Sequence, residues 1–260
     1  MKIKIISSFI IGMIIGLAAG IIGVGGGEFR IPALTYLMGG SMNVIITSNL
    51  IIGFFTVLLS FFLRLLYGLA GETSILYGFY LSIGSMFGAC VGAIITSRVS
   101  DKNLKLIIGI YLTAIGIKFI FEPVLGEVGP NLIFQENLVP FYLCLFGFLV
   151  GMISSMFGVA GGEIRIPILV MLFGLGIKIA GTVSLLASIA TVGTGLMKHL
   201  QMGHFEKKYI WITLPMTIGS ALGVFVGTSL AVVMYEEHLK KILGIIVILA
   251  TIRFFMKNSK

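Results

Sequence analysis

Along most of the chain apolar residues run unbroken for about the length of a membrane-crossing helix, then give way briefly to Lys, Arg, Gly, Ser or Asn. The runs fall near 5–24, 43–66, 74–97, 104–121, 138–158, 178–197, 209–234 and 239–256. Each is close to the ~20 residues that carry an α-helix through the hydrocarbon of a bilayer. The pattern predicts an all-α polytopic membrane protein with at least eight long helices. Two shorter apolar segments interrupt it. Each follows a glycine run (Gly25–Gly27 or Gly161–Gly162), is entered through Pro32 or Pro167, and is stopped by Gly39 or Gly174. Helices of about ten residues cover only ~15 Å, half a membrane.

The two interruptions are copies. A shift of 135 positions lays Gly16 on Gly151 and Glu28 on Glu163, and between residues 16 and 34 it matches ten positions of nineteen. Thr47 falls on Thr182, Gly68 on Gly203, and Gly84, Gly88 and Gly92 on Gly219, Gly223 and Gly227. Such small residues every fourth position form a ridge along which helix backbones approach closely in lipid. The chain thus divides into a first transmembrane repeat (1–121), an acidic linker (122–137) and a second repeat (138–260). Each repeat is expected to hold four long helices and one short broken one. Duplicated halves with an interrupted helix in each are the sequence mark of many secondary transporters, whose sites lie at the repeat interface near the midplane.

Composition agrees. Hydrophobic residues make up 58% of the chain and charged residues 11%, against roughly 25% charged in soluble domains. The formal net charge of +8 does not point to nucleic acid, because Lys and Arg sit in short clusters at the ends of runs, as membrane topology demands. The N-terminal run imitates a secretory signal, but its related run at 138–158 stands in mid-chain, so it is read as a permanent span. Cys90 and Cys144 lie inside apolar runs with no metal-ligand spacing, and His199, His204 and His238 fall near the ends of runs, where an interfacial role is expected.

Charge also bears on topology. If the short helix with its glycine arm completes a crossing, each half has five crossings and the halves are inverted. If it is re-entrant, they are parallel. With both termini cytoplasmic, the inverted arrangement puts ten of the 14 basic residues outside motifs and span interiors in the cytoplasm and four, including Arg64, outside. The parallel one gives eight against six, so inverted 5+5 repeats are preferred.

The chemistry concentrates at the interruptions. Non-helical backbone at membrane depth is tolerable only inside protein or beside a water-filled cavity. Amides at the start of a short helix, with its positive dipole end, favour an anion, and arginine adds a fork of donors suited to oxyanions. The candidate substrate-binding residues are therefore Gly25, Gly26, Gly27, Glu28 and Arg30, with Gly161, Gly162, Glu163 and Arg165 in the second copy. Thr47 and Asn49, and Thr182 and Ser184, stand at the start of the following helix and are candidates to face the same cavity. Glu28 admits three readings: a partner neutralising Arg30, a proton carrier, or an acceptor at the helix start. A purely structural Glu–Arg pair in each half is the plain alternative.

The stretches GVGGGEFRIPAL and GVAGGEIRIPIL, with TSNL and TVSLLAS on the next helix, resemble the sulfite exporter TauE/SafE family, also called the toluene-sulfonate uptake permease group. The resemblance covers nearly the whole chain. It implies a permease with duplicated halves that moves sulfite, sulfonates or related organic anions across the cytoplasmic membrane. The family pattern usually has apolar residues where Glu28, Arg30, Glu163 and Arg165 stand here, which points to a more strongly held anion or a proton-coupled step.

The expected function is a secondary transporter for a small anion (sulfite, a sulfonate, another sulfur oxyanion or a carboxylate) working by alternating access. An anion channel or a non-transporting membrane assembly protein are the alternatives. No HExxH, GxSxG, Cys/His cluster or nucleotide-binding GxxxxGK[ST] motif is present, so neither an enzyme nor a cofactor is expected. The partners expected are the anion and the lipid bilayer, with no nucleic acid; a homo-oligomer is compatible with the sequence.

Overall fold

The computed structural model describes residues 2–71, 74–121 and 135–233, and every regular element among them is helical. The first half comprises α1 (Lys2–Ile22), α2 (Gly27–Met38), α3 (Met42–Leu66), α4 (Ser74–Arg98) and α5 (Asp101–Phe121). The second comprises α6 (Val139–Phe157), α7 (Gly162–Phe173), α8 (Ile177–Gln201) and α9 (Ile210–Ala231). A 135-residue shift carries α2 onto α7 and α3 onto α8 end for end, so the same start and stop signals act in both copies.

Among the described residues six helices are long and apolar enough to cross a membrane: α1, α3, α4, α6, α8 and the segment Lys207–Ala231 that contains α9. The sequence pattern predicts eight. Helix α5 forms over the predicted run at 104–121 but is not among these six. The run at 239–256, most of the linker, and His238 lie outside the described residues.

Hydrogen bonds and close approaches fix how the helices run. Lys4 Nζ donates to Leu37 O at 2.9 Å, so α2 folds back along α1 and ends where α1 begins; this is the near end of the bundle. Helix α3 starts there, with Asp101 Oδ1 at the head of α5 accepting from the Met42 N–H, and finishes at the far end, where Arg64 reaches Gly20 and Ile21 of α1. Helix α8 lies antiparallel to α3, placing Val192 beside Gly53 and Lys178 beside Arg64.

The longest contacts join one half to the other. A Cβ on Gly84, Gly88 or Gly92 of α4 would sit 1.8–2.1 Å from the carbonyl oxygens of Cys144, Phe148 and Met152 on α6. The ridge of the second half does the same, Gly219, Gly223 and Gly227 of α9 meeting the carbonyls of Phe9, Met13 and Leu17 on α1. Both pairs run in the same direction with backbones in contact, the geometry that small residues permit in lipid. The halves therefore interlock around a buried centre, and the two short helices and their glycine arms occupy it.

Candidate functional site

Each short helix begins at the last glycine of its arm, Gly27 or Gly162, rather than at the proline, which stands within the helix. The preceding Gly26 and Gly161 take left-handed conformations (φ 67° and 82°) that a β-carbon disfavours, and neither helix has a side-chain cap. Starting early puts Glu28, Arg30, Glu163 and Arg165 on the first turns. All four are buried to 1% exposure or less.

The arms cross at the centre. A Cβ on Gly25 would lie 2.1 Å from Cβ of Ala160; Gly27 abuts Val159 and Gly162 abuts Val24, each with 3.1 Å between the imagined Cβ and the neighbour's Cα. These last two contacts are equivalents under the repeat, so a pseudo-twofold axis passes between Gly25 and Ala160. Two helix N-termini, positive ends of their dipoles, converge on it.

Arg30 donates through Nε to Asn49 Oδ1 (2.9 Å), through Nη1 to Thr56 Oγ1 (3.3 Å) and through Nη2 to Gly25 O (2.9 Å). Arg165 mirrors it. Its Nη1 donates to Ala160 O (2.6 Å) and Ser188 Oγ (3.0 Å), and its Nη2 to Thr191 Oγ1 and to Ser85 Oγ (3.2 Å). These acceptors are all neutral oxygens, and the Nε of Arg165 is buried with no partner among the described residues. Glu28 and Glu163 act on the two guanidiniums through space, while the hydrogen bonds themselves go to neutral oxygens that an anion could replace.

Asn49 ties the two copies together. Its Nδ2 donates to Gly27 O (2.9 Å) in the first half and to Gly158 O (2.8 Å) in the second. The other polar candidates on the following helices behave differently. The Thr47 hydroxyl bonds Asn43 O within its own helix, and that of Thr182 bonds Leu69 O and Lys178 O at the far end, so neither is directed at an arginine. Ser184 is buried and gives its carbonyl to the Ser188 hydroxyl.

Sequence reasoning misses Thr56, Thr191, Ser188, Ser85 and Tyr111. A signal exists for Thr56 and Thr191: they coincide under the 135-residue shift and lie two helical turns beyond Asn49 and Ser184, on the same face. Tyr111 of α5, its ring packed on Phe157 with centroids 4.6 Å apart, donates its hydroxyl to Glu163 Oε1. The shift places Ile246 opposite Tyr111, so nothing in the repeat announces it.

Two groups that look interfacial in sequence are in fact interior. Arg64 is 1% exposed and His199 0%. Arg64 fills the far end by donating to backbone carbonyls left over at the C-terminus of α1, a place that favours a cation.

Residues 2–119 and 143–260 each match the family model described as Sulfite exporter TauE/SafE. The chain is 25% identical over 266 residues to the probable membrane transporter protein YunE of Bacillus subtilis, covering 93% of this chain and 95% of that protein. It is 25% identical to the probable membrane transporter protein MJ0441 of Methanocaldococcus jannaschii (95% and 93% covered). It is 28% identical to the probable membrane transporter protein YfcA of Escherichia coli K12 (92% and 84%). No solved structure matches.

Proposed function

This chain belongs to the sulfite exporter TauE/SafE family of membrane transporters, and from that premise we propose that it carries a small anion by alternating access around the crossed glycine arms. The substrate class is a sulfur oxyanion, a sulfonate or a small carboxylate. The observation that carries the reading is the pair Arg30 and Arg165, one from each half, buried and, among the described residues, hydrogen-bonded to neutral oxygens. An anion entering between them exchanges those neutral acceptors for its own charged oxygens, so that both partners of each hydrogen bond carry charge and a planar guanidinium can bind two oxygens at once.

Inverted five-crossing halves complete the proposal. Helix α6, counterpart of α1, runs alongside α4, and α9, counterpart of α4, runs alongside α1, each pair in the same direction. Since α4 returns from the far end where α3 finishes, α1 and α6 point oppositely. Inversion supports a device in which the same two gates exchange roles as one half rocks against the other. The site residues proposed are Arg30, Arg165, the arms Gly25–Gly27 and Ala160–Gly162, and Asn49, with Glu28 and Glu163 balancing charge beside them. The setting proposed is the cytoplasmic membrane, with the near end and the N-terminus facing the cytoplasm.

The test is a thermal-shift screen of the purified protein against sulfite, sulfate, thiosulfate, sulfonates and carboxylates, repeated on Arg30→Ala and Arg165→Ala. A ligand that stabilises the wild type and neither variant identifies both substrate and site. Equal stabilisation of all three proteins refutes the arginine site.

A further inference from the structure

Arg64 and His199 occupy equivalent positions, 135 residues apart, in the last turns of α3 and α8. The turns beyond them match: Gly68 and Gly203 are both left-handed (φ 67° and 74°), and Leu69 N–H bonds Arg64 O (2.9 Å) as His204 N–H bonds His199 O (3.1 Å). Their surroundings match as well. The Arg64 guanidinium binds the backbone of Gly20 and Ile21 at the end of α1, and the His199 ring lies against the backbone of Ser155, the counterpart of Gly20, near the end of α6.

Depth gives this correspondence a meaning. Gly53, beside Arg30, and Ser188, bonded to Arg165, mark the level of the central site on α3 and α8. Arg64 stands eleven residues beyond Gly53, and His199 eleven beyond Ser188. Because the two helices are antiparallel, the displacements run in opposite directions, about 16 Å each at 1.5 Å per residue. That is half the ~30 Å thickness of hydrocarbon. One buried polar side chain therefore closes the bundle at each border, with the arginines midway between.

The two closures differ chemically. Arg64 carries a permanent charge and donates to three carbonyls, including Lys178 O of the other half (3.2 Å). His199 instead meets a second imidazole, its Nδ1 lying 2.9 Å from Nδ1 of His204. That contact holds only while one of the two nitrogens lacks its proton. His204, on the turn outside the span, is held below its ordinary range by burial, and a fully buried neutral histidine must likewise be hydrated to accept charge. Other charged groups at this border include Lys4 on α1, Arg98 at the end of α4, Lys102 on α5, Lys198 on α8, Lys207, Glu206, which is paired with Lys208, and Asp101, which lies 3.9 Å from Lys105. The facing ends of α6 and α3 carry no titratable side chain.

We propose that Arg64 and His199 are the two gates of the transport path, and that the His199–His204 contact makes the near-end gate open when it takes up protons. The far-end gate, built on arginine, stays indifferent to pH. Proton uptake from the near side would thereby be tied to opening toward that side. The proposal rests on the transporter reading, yet its test needs no substrate, so the two can fail separately.

The experiment compares two thiol reporters in a Cys90→Ala/Cys144→Ala background, using a small cationic methanethiosulfonate on purified protein between pH 5 and pH 8. Ser155→Cys reports the near side, since the Ser155 hydroxyl abuts Gly195, one turn inside His199. Ser60→Cys reports the far side, one turn inside Arg64 and equivalent to Gly195 under the repeat. Taking the ratio of the two labelling rates cancels the thiol's own titration. The ratio is expected to rise at least tenfold from pH 8 to pH 5, and to become flat with pH in His199→Gln and in His204→Gln. A ratio constant in the reporter background, or one that still rises in a folded His variant, overturns the proposal; should His199→Gln fail to fold, His204→Gln decides alone.

Discussion

Gly25 and Ala160 hold equivalent places in the two halves and meet across the pseudo-twofold axis, where a methyl on Gly25 would come within 2.1 Å of the methyl already on Ala160. There is room for one methyl, and this explains why the motif reads GVGGGE in one copy and GVAGGE in the other. Gly25→Ala is expected to destabilise the protein by about 1–3 kcal/mol, the usual cost of overpacking. Adding Ala160→Gly should restore most of the loss, because the methyl then simply changes sides. Thermal unfolding of the single and double variants in detergent checks the coupling; independent, additive effects would mean that the arms do not touch.

Asn49 satisfies groups in both halves at once: the Nε of Arg30 and the carbonyls of Gly27 and Gly158. Asn49→Leu keeps the branch at Cγ but removes every donor and acceptor, and strands all three. Each buried polar group left unpaired costs about 1–3 kcal/mol, so this variant should melt well below Asn49→Ser, which retains a donor and an acceptor. A melting curve for Asn49→Leu that coincides with that of the wild type would remove Asn49 from the account.

Glycine, proline and charge are expensive to misplace in an apolar chain, and for that reason much of this architecture is legible in the amino-acid sequence. The duplication, the broken helices, and the placing of Arg30 and Arg165 beside glycine arms all follow from residues 16–34 and their copy. The helix starts are harder to read, since Pro32 looks like an entry signal although the left-handed Gly26 already turns the chain. Thr47 and Thr182 look like site residues, yet a helix hydroxyl has its own i−4 carbonyl as an acceptor. Burial of Arg64 and His199 is invisible in sequence because residues at the end of a span look interfacial, whereas here other helix ends cover them. The partnership of Tyr111 with Glu163 is tertiary and breaks the repeat, so no periodicity could reveal it.

The glycine ridges carry the grip between the halves, and their contact is backbone to backbone. In Gly88→Ala the new methyl falls 2.0 Å from Phe148 O, while a Cβ on Gly176 meets nothing within 4 Å. Gly88→Ala should therefore lower the unfolding temperature and push α4 from α6, and Gly176→Ala should cost less than about 1 kcal/mol, as for other changes away from packed sites. Similar melting of the two variants would show that the ridge is not a tight interface.

Inverted halves put the loop after α3 and the loop after α4 on opposite sides of the membrane. In sealed cells, Gly71→Cys should react with an impermeant thiol reagent added outside, and Lys102→Cys only after permeabilisation. Reaction of Lys102→Cys from outside would reverse the orientation, and reaction of both from the same side would exclude inversion.

The central claim, that Arg30 and Arg165 together hold the transported anion, is tested most directly in proteoliposomes loaded for counterflow with the anion that stabilises the purified protein. The wild type should show saturable uptake with counterflow. Arg30→Gln and Arg165→Gln, inserted and folded, should each lose at least about tenfold in uptake, the equivalent of one charge-assisted hydrogen bond at ~1.5–3 kcal/mol. Wild-type uptake in either variant would contradict the account.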